Sequence, residues 1–290
     1  MYTVLTDSCS DLNQELLAGF EDLVILPMSY TIGGVTNASV KMEEKEIKAF
    51  YGRLRSGEMS TTSQVSLMDF TETFEQYAKE GKPLLCLLFS SALSGTYGAA
   101  CVARETVLET YPDAVIEVVD TLSASAGEGL VVYDALCNRA AGMSLEENAA
   151  WVREHVQNYV QWFTVDDLNF LKRGGRCSPS SAFFGSMLSI KPVLHVDEQG
   201  RLIAKQKVRG RNQALKALAS KVGEWAEDPD QMIFISHGDC YDDAMLVKRQ
   251  LVETYGCKPE KIVLSYVGPV IGGHSGPGTV ALFFRGKGRG

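Results

Sequence analysis

The chain has 290 residues and a formal net charge of −8, with 45% hydrophobic and 22% charged residues. This composition is typical of a soluble globular protein of one or two domains, and its acidic balance disfavours a nucleic-acid surface, which needs clustered positive charge. No segment approaches the roughly 18 unbroken apolar residues of a membrane span, and the first residues show no secretory signal. We therefore expect a soluble, cytoplasmic protein.

The cysteines and histidines indicate neither a disulfide framework nor a metal centre. There are seven cysteines, an odd number, and no two of them have C-x-x-C spacing. This pattern is typical of reduced thiols packed inside a cytoplasmic protein. No cluster of histidine, cysteine and carboxylate residues has the spacing of metal ligands, so we expect no metal and no other cofactor.

Strand-like runs alternate with helical patterns along most of the chain. Apolar residues recur at helical spacing within 47–54, 215–225 and 244–251, and Ser144 with Glu147 forms a capping box that begins a further helix. Such alternation predicts an α/β fold with parallel or mixed sheets flanked by helices. The predicted strands are 2–6, 23–32, 84–89, 114–119, 231–236, 261–267 and 279–284.

The middle of the chain interrupts this alternation. Residues 166–192 contain a glycine pair and a proline, and residues 193–208 have the pattern of a hairpin that turns at Gln199 and Gly200. The alternation then resumes, and the last five residues are expected to fray. We therefore predict two α/β domains, residues 1–160 and 161–290, with a ligand cleft between them.

Four segments rich in hydroxyl side chains suggest a binding site. We expect all four to lie at the carboxyl ends of strands in an open parallel sheet, the edge where ligands bind. Each segment alone could simply cap a helix, because Ser, Thr and Asp are the preferred capping residues. Together with the free amides of helix N-termini, they predict a site for an anionic group. The segments are 6–12, 61–70, 90–96 and 120–127.

One alternative is an enzyme that uses Ser94 as a nucleophile and His274 as its base, either an acyl hydrolase or a phosphotransferase. Ser94 lies in the sequence A-L-S-G-T, which lacks the first glycine of the G-x-S-x-G elbow. A serine nucleophile also needs a base, and no orienting acid for such a base is evident. The candidate bases are His155, His195, His237 and His274.

The glycine-rich stretch 268–278 nearly matches a phosphate-binding loop. His274 stands where that motif requires lysine, and a strand rather than a helix is predicted to follow, so we reject a nucleotide site. The glycines instead indicate close backbone approach to a ligand or to another loop. His274 is then either a hydrogen-bond donor to an anion or a histidine of the core.

A basic cluster flanks the middle of the chain. It is either a solvated surface or a positive rim for an acidic partner or a phosphate. Apolar residues beside it, Phe183, Phe184 and Met187, either belong to the core or line a pocket for a long apolar ligand. The basic residues are Lys172, Arg173, Arg176, Lys205, Lys207, Arg209 and Arg211.

These motifs, taken in order, resemble the DegV family of bacterial fatty-acid-binding proteins. The resemblance spans the whole chain, although Val65 and Ala92 stand where the family often has proline and glycine. The motifs are TDSCSDL from residue 6, TSQVS from 62, SSALSGTY from 90, DTLSASAG from 120, DLNFLKRGGR from 167, SIKPVL from 189, KVRG from 207 and GGHSGPG from 272.

The resemblance implies a binding protein rather than an enzyme. Two α/β domains would bury one long-chain fatty acid, with its carboxylate held by the hydroxyls of Thr62 and Ser94. In relatives that serve a fatty-acid kinase, the carboxylate is presented to that separate enzyme for phosphorylation. The residues that would form the presentation surface are His274, Arg173, Arg176 and Arg209.

Two further possibilities stay open beside the hydrolase and the phosphotransferase. One is a regulatory module whose ligand controls a protein contact through the basic rim, and the other is a transient contact with a membrane surface. The chemistry of a fatty acid fits the residues, because a carboxylate can leave water only where donors replace it. Each buried CH₂ of the acyl chain contributes about 0.8 kcal/mol.

Overall fold

The computed structural model describes residues 2–12, 14–17, 19–39, 42–177 and 190–290. The three residues expected to line an acyl pocket, Phe183, Phe184 and Met187, lie outside these ranges. The described strands are β1 (Thr3–Asp7), β2 (Leu23–Leu26), β3 (Ser29–Ile32), β4 (Val35–Ala38), β5 (Ser60–Ser63), β6 (Leu84–Leu88), β7 (Ile116–Asp120), β8 (Tyr159–Thr164), β9 (Ile190–Val196), β10 (Leu202–Arg209), β11 (Ile233–His237), β12 (Ile262–Tyr266) and β13 (Val280–Arg285).

The helices largely follow the apolar periodicity of the sequence. Ser144 caps its helix by accepting a hydrogen bond from the backbone N–H of Glu147, as the capping box predicts. The described helices are α1 (Gln14–Leu17), α2 (Glu44–Arg55), α3 (Leu67–Lys79), α4 (Thr96–Thr110), α5 (Ala126–Ala140), α6 (Leu145–His155), α7 (Asn169–Gly174), α8 (Arg211–Trp225), α9 (Tyr241–Tyr255) and α10 (Pro269–Ser275).

The first sheet has four parallel strands in the order β2-β1-β6-β7. Every residue of β1 and β6 is buried, which is why these strands read as nearly continuous apolar runs. Helix α5 contacts β1 and β6 of this sheet and also β8, β11 and β13 of the next one. It therefore packs between the two sheets.

The second sheet is mixed, with six strands in the order β10-β9-β8-β13-β11-β12, and only β11 and β12 run parallel. The hairpin predicted within 193–208 is present as β9 and β10, with Gly200 in the turn at a φ of 76°. This arrangement confirms the α/β class. The division at residue 160 stays a prediction, since one apolar core includes Leu5 and Leu87 as well as Phe163 and Phe283.

The third sheet is small and antiparallel, in the order β4-β3-β5. Two predictions are wrong here. The single strand expected over 23–32 is divided between two sheets, because Pro27 has no N–H to donate to a continuous ladder. The hydroxyl-rich segment from Thr61 does not follow a strand of the parallel sheet; it contributes β5, a short polar edge strand without the apolar alternation of a longer one.

The carboxyl terminus is ordered against the rest of the chain, contrary to the expected fraying. Arg289 is only 4% exposed, and its Nη1 donates to the carbonyl of Leu122 at 2.6 Å. His195, one of the candidate bases, is buried in β9, where its ring lies 5.1 Å from that of Trp162.

Candidate functional site

A cavity of about 370 Å³ lies between the segments that carry the predicted site residues. Its walls come from both halves of the chain, including the turn after β6, strand β5, strands β8 and β13, and helix α10. Most of the lining is apolar, and the polar groups are mainly hydroxyls. The apolar lining includes Phe89, Leu93, Phe163, Val270, Ile271 and Phe283, and the hydroxyls are Thr62, Ser63, Ser94, Ser125, Ser275 and Thr279.

Thr62 and His274 meet in the wall of this cavity. The Oγ1 atom of Thr62, on β5, lies 2.7 Å from Nε2 of His274, near the end of α10. The Nδ1 edge of the imidazole lies against Gly174, where an added Cβ would be 2.2 Å from Nδ1. The close approach of the ring therefore requires glycine at position 174.

The imidazole of His274 is neutral at pH 7. Burial lowers its pKa to about 4, and the positive charge of Arg176 lowers the pKa in the same direction. A neutral imidazole carries one N–H. In the tautomer with hydrogen on Nε2, the ring donates to Thr62 and leaves the hydroxyl proton of Thr62 for another acceptor. This tautomer is the one that leaves Thr62 as a donor to an anion in the cavity.

Ser94 occupies the turn between β6 and α4 and faces the same cavity. Its Oγ accepts a hydrogen bond from the backbone N–H of Thr96 at 3.2 Å and lies 2.9 Å from the Thr96 hydroxyl. The hydroxyl of Ser94 thus takes part in ordering the start of α4, as the capping interpretation suggested. When Thr96 donates to Ser94 rather than to the sulfur of Met28, 3.8 Å away, the Ser94 proton also remains for a ligand.

The nucleophile and base of the hydrolase alternative are paired with other residues. Ser94 bonds to Thr96, and His274 bonds to Thr62. A serine nucleophile is activated by a hydrogen bond to its own base. The arrangement is better suited to holding an anion with two hydroxyl groups than to attacking an ester.

A second pocket of about 190 Å³ shares Thr62, Arg176 and His274 with the cavity, and we call it the arginine pocket because Arg173 and Arg176 line it. The guanidinium of Arg173 lies over the ring of Phe170, 4.6 Å from its centroid. Its remaining lining residues are Met59, Ser60, Thr61, Phe170, Gly174 and Gly273.

The three predicted arginines do not form one group. Arg176 lines both pockets and is fixed by its Nε, which donates to the carbonyl of Leu93 at 3.1 Å, whereas Arg173 lines only the arginine pocket. Arg209 is exposed at the end of β10 and lines neither. The basic rim is thus divided, and only Arg173 and Arg176 lie near Thr62 and His274.

Sequence reasoning did not single out most of the lining residues, among them Gln64 and Met28. The carboxamide of Gln64 lies against Gly95, where an added Cβ would be 2.1 Å from Oε1, and the TSQ motif could have drawn attention to it. Met28 lies between β2 and β3, and its sulfur accepts from the buried thiol of Cys9 at 3.2 Å. No local pattern marks a methionine in such a connection.

Two kinds of feature are absent from the ranges that the structure describes. Within them, no group of three or more histidine, cysteine, aspartate or glutamate side chains is placed to hold a metal ion. No helix in the same ranges has the length and apolar character needed to cross a membrane.

Comparison with known proteins agrees with the motif pattern. A family model described as an uncharacterised protein of the DegV family matches residues 1–287. A DegV domain-containing protein of Clostridium perfringens is 43% identical over 286 residues, covering 98% of this chain and 97% of the relative. A second DegV domain-containing protein, from Streptococcus pyogenes serotype M1, is 37% identical, and the match covers 99% of this chain and 98% of that relative.

Solved structures share the fold over nearly the full length. A DegV family protein from Thermus thermophilus, described for its fatty-acid binding, has a TM-score of 0.87 at 29% identity and covers 98% of this chain and 99% of its own. A fatty-acid-binding DegV family protein from Streptococcus agalactiae has a TM-score of 0.86 at 30% identity and covers 99% of each chain. The chain therefore belongs to the DegV family.

Proposed function

We propose that this protein binds one long-chain fatty acid, with its tail in the apolar cavity and its carboxylate at Thr62 and Ser94. The observation that carries the proposal is an apolar cavity whose wall holds the bonded pair Thr62 and His274, with Ser94 in the same lining. The two related structures support it, since both belong to DegV proteins described as fatty-acid binders.

The physical chemistry of the cavity favours such a ligand. Each CH₂ moved from water into the lining contributes about 0.8 kcal/mol, so a long chain gains much of its affinity from area alone. Ordering of the chain and desolvation of the carboxylate offset part of this gain. Two hydroxyl donors replace water around the carboxylate, and the neutral His274, in the tautomer with hydrogen on Nε2, orients one of them by donating to Thr62.

The proposed role is to carry the fatty acid and present it, while a separate fatty-acid kinase of the cytoplasm performs the chemistry. The arginine pocket supports presentation, because Arg173 and Arg176 line a space that shares Thr62 and His274 with the cavity. A phosphoryl group approaching the carboxylate from that side would meet positive charge. Arg209 lies outside both pockets, and we assign it no contact with the ligand.

Titration of delipidated protein with a long-chain fatty acid tests the proposal. Hydrogen bonds to a charged group contribute roughly 1.5–3 kcal/mol each, so Thr62→Ala or Ser94→Ala should weaken binding at least tenfold. Ser91→Ala is the matched control, because Ser91 is exposed in the same turn and does not line the cavity. Unchanged affinity in both site variants would refute the assignment of the carboxylate.

The hydrolase alternative has its own test. An activated acyl ester should then leave a covalent adduct on Ser94, seen as an increase in intact mass that Ser94→Ala abolishes. We expect no adduct, because Ser94 is bonded to Thr96 and not to a histidine base.

A further inference from the structure

We propose that Asp11 is a positioning residue for this site, which anchors helix α10 so that His274 meets Thr62. The inference rests on the proposed function, and it adds a residue that does not itself line the cavity. Asp11 lies in the segment after β1, far along the chain from the helix on which it acts.

The carboxylate of Asp11 joins the segment before α10, in the second half of the chain, to the residue before α5, in the first half. Its Oδ1 accepts from the backbone N–H of Gly268 at 2.9 Å, and its Oδ2 accepts from the hydroxyl of Ser125 at 2.5 Å. Ser125 Oγ lies 2.9 Å from the hydroxyl of Ser236, at the end of β11. Because Ser125 gives its only proton to Asp11, Ser236 is the donor to Ser125. Both oxygens of the carboxylate are therefore engaged.

The backbone around the carboxylate is held in uncommon conformations. Asp11 has a φ of 44° and Ser125 a φ of 53°, both in a region that residues other than glycine rarely adopt. Such conformations persist where surrounding contacts over-determine them, and they concentrate at functional sites. The hydrogen bonds from Gly268 and Ser125 to the Asp11 carboxylate are contacts of this kind.

Gly268 precedes the first residue of α10, and its lack of a side chain leaves room for this carboxylate. A Cβ added at Gly268 would lie 2.7 Å from Oδ1 of Asp11, so any other residue would displace the acceptor. A second anchor lies beside it, where the hydroxyl of the buried Tyr51 donates to the carbonyl of Val267 at 2.7 Å. The start of α10 is thus fixed through a backbone donor and a backbone acceptor.

Helix α10 transmits this anchoring to the ligand. It has only seven residues, too few to be stable as an isolated helix, so its placement depends on tertiary contacts. Val270, Ile271 and His274 of this helix line the cavity, and His274 makes the bond to Thr62. A shift at Gly268 therefore moves the group that orients the Thr62 hydroxyl.

The decisive comparison is between Asp11→Ala and Asp11→Asn. Alanine removes both acceptors, and we expect fatty-acid affinity to fall about tenfold to a hundredfold. Asparagine can accept from Gly268 through Oδ1 and donate to Ser125 through Nδ2, while Ser125 turns its proton to Ser236. We expect Asp11→Asn to bind within about twofold of wild type.

Two further measurements separate positioning from general destabilisation. In a His274→Ala background, Asp11→Ala should cause little additional loss, because its effect passes through His274. The ring ¹⁵N spectrum of His274 should show one tautomer in the ligand-free wild type and in Asp11→Asn, but a mixture in Asp11→Ala. Asp134→Ala is the matched control, since this buried carboxylate bonds to Tyr159 and not to α10.

The outcomes distinguish this inference from the proposed function. If wild type binds no fatty acid, the proposed function fails, while the ¹⁵N spectra still decide whether Asp11 controls His274. Additive losses of affinity in the double variant, or one His274 tautomer in Asp11→Ala, would overturn the inference. If Asp11→Ala does not fold, Gly268→Ala replaces it, because its methyl group displaces the same carboxylate.

Discussion

His274 and Thr62 are joined by a hydrogen bond of 2.7 Å although 212 positions separate them in the chain. The bond connects α10 with the edge strand β5, and both residues line the cavity and the arginine pocket. A neutral histidine in this place orients a hydroxyl group without adding a charge. The site thus offers hydroxyl donors to a carboxylate, with the positive charge of Arg176 in both spaces and that of Arg173 in the arginine pocket alone.

The neutrality of His274 predicts a particular dependence on pH. Its lowered pKa of about 4 means that the ring carries no charge anywhere between pH 5.5 and 8. The ratio of fatty-acid affinities between wild type and His274→Asn should therefore stay constant over that range, measured by fluorescence competition. Titration of the fatty-acid carboxyl group affects both affinities equally, so it cancels in this ratio. A ratio that rises as the pH falls through 6.5 would indicate a histidine that becomes cationic and attracts the carboxylate.

Gly174→Ala should disturb the site by a steric clash with the Nδ1 edge of His274. The new methyl group would lie 2.2 Å from Nδ1 of His274, and the ring would have to leave its present position against Thr62. We expect a loss of about 1–3 kcal/mol in the free energy of unfolding, typical of overpacking, together with weaker fatty-acid binding.

Gly98→Ala is the control for this substitution. Gly98 lies within α4, and an added Cβ there meets no atom within 4 Å. Alanine is favoured over glycine inside a helix by up to about 1 kcal/mol, so this variant should be slightly more stable and bind normally. Normal binding by Gly174→Ala as well would show that the ring position is not important.

Arg173→Gln should separate binding from presentation. Arg173 lines the arginine pocket but not the cavity, so fatty-acid affinity should change by less than about twofold. Phosphorylation of the bound fatty acid by a fatty-acid kinase should fall about tenfold, since one cation facing the incoming phosphoryl group is lost. Arg209→Gln, exposed and outside both pockets, should leave both measurements unchanged. Equal rates for the two variants would argue against a role for the arginine pocket.

Asp11 should make stability depend on pH in a direction opposite to that of a salt-bridged carboxylate. Burial raises the pKa of its carboxyl from 3.8 to about 7. The folded state therefore keeps a proton that the unfolded state has lost, and this contribution to stability disappears as the pH rises towards 7. The titratable groups that face Asp11 are Asp7, Cys9, Tyr51 and Glu128.

Comparison of wild type with Asp11→Asn isolates this contribution. Asparagine does not titrate. The free energy of unfolding of Asp11→Asn minus that of wild type should therefore increase by up to roughly 1.4 kcal/mol per pH unit between pH 4 and 7, and the difference should be constant at higher pH. Urea denaturation of both proteins at each pH measures this difference. The lowered pKa values of the buried histidines make stability rise with pH, but this contribution is the same in both proteins and cancels in the difference. A difference that shrinks as the pH rises would contradict the assignment.

The sequence predicted those parts of the fold that depend on local patterns. Helix α6 followed from the capping box at Ser144, and the hairpin of β9 and β10 from its turn at Gly200. Strand β5 was missed because four polar residues at a sheet edge show no apolar alternation. Thr62 was selected through the family motif, and its partnership with His274 could not be read from spacing.

The anchoring of α10 lay beyond sequence reasoning for a related physical reason. Asp11 and Gly268 are 257 positions apart, and each has an adequate local explanation, one as a turn residue and the other as part of a glycine-rich stretch. Only the packing of the first half of the chain against α10 brings the carboxylate to the backbone N–H. The segment 6–12 was predicted to help hold an anionic group, and this stays a prediction; in the structure its Asp11 carboxylate accepts a hydrogen bond from Gly268, the residue before α10.

The most direct test of fatty-acid binding is the identity of the small molecule that accompanies the purified protein. Organic extraction followed by mass spectrometry should yield long-chain fatty acid in about equimolar amount from wild type, because the cavity can desolvate one acyl chain. The Thr62→Ala, Ser94→Ala double variant should carry much less, and Ser91→Ala a normal load. Wild-type protein that emerges without lipid and takes up none on incubation with fatty acid would contradict the proposed function.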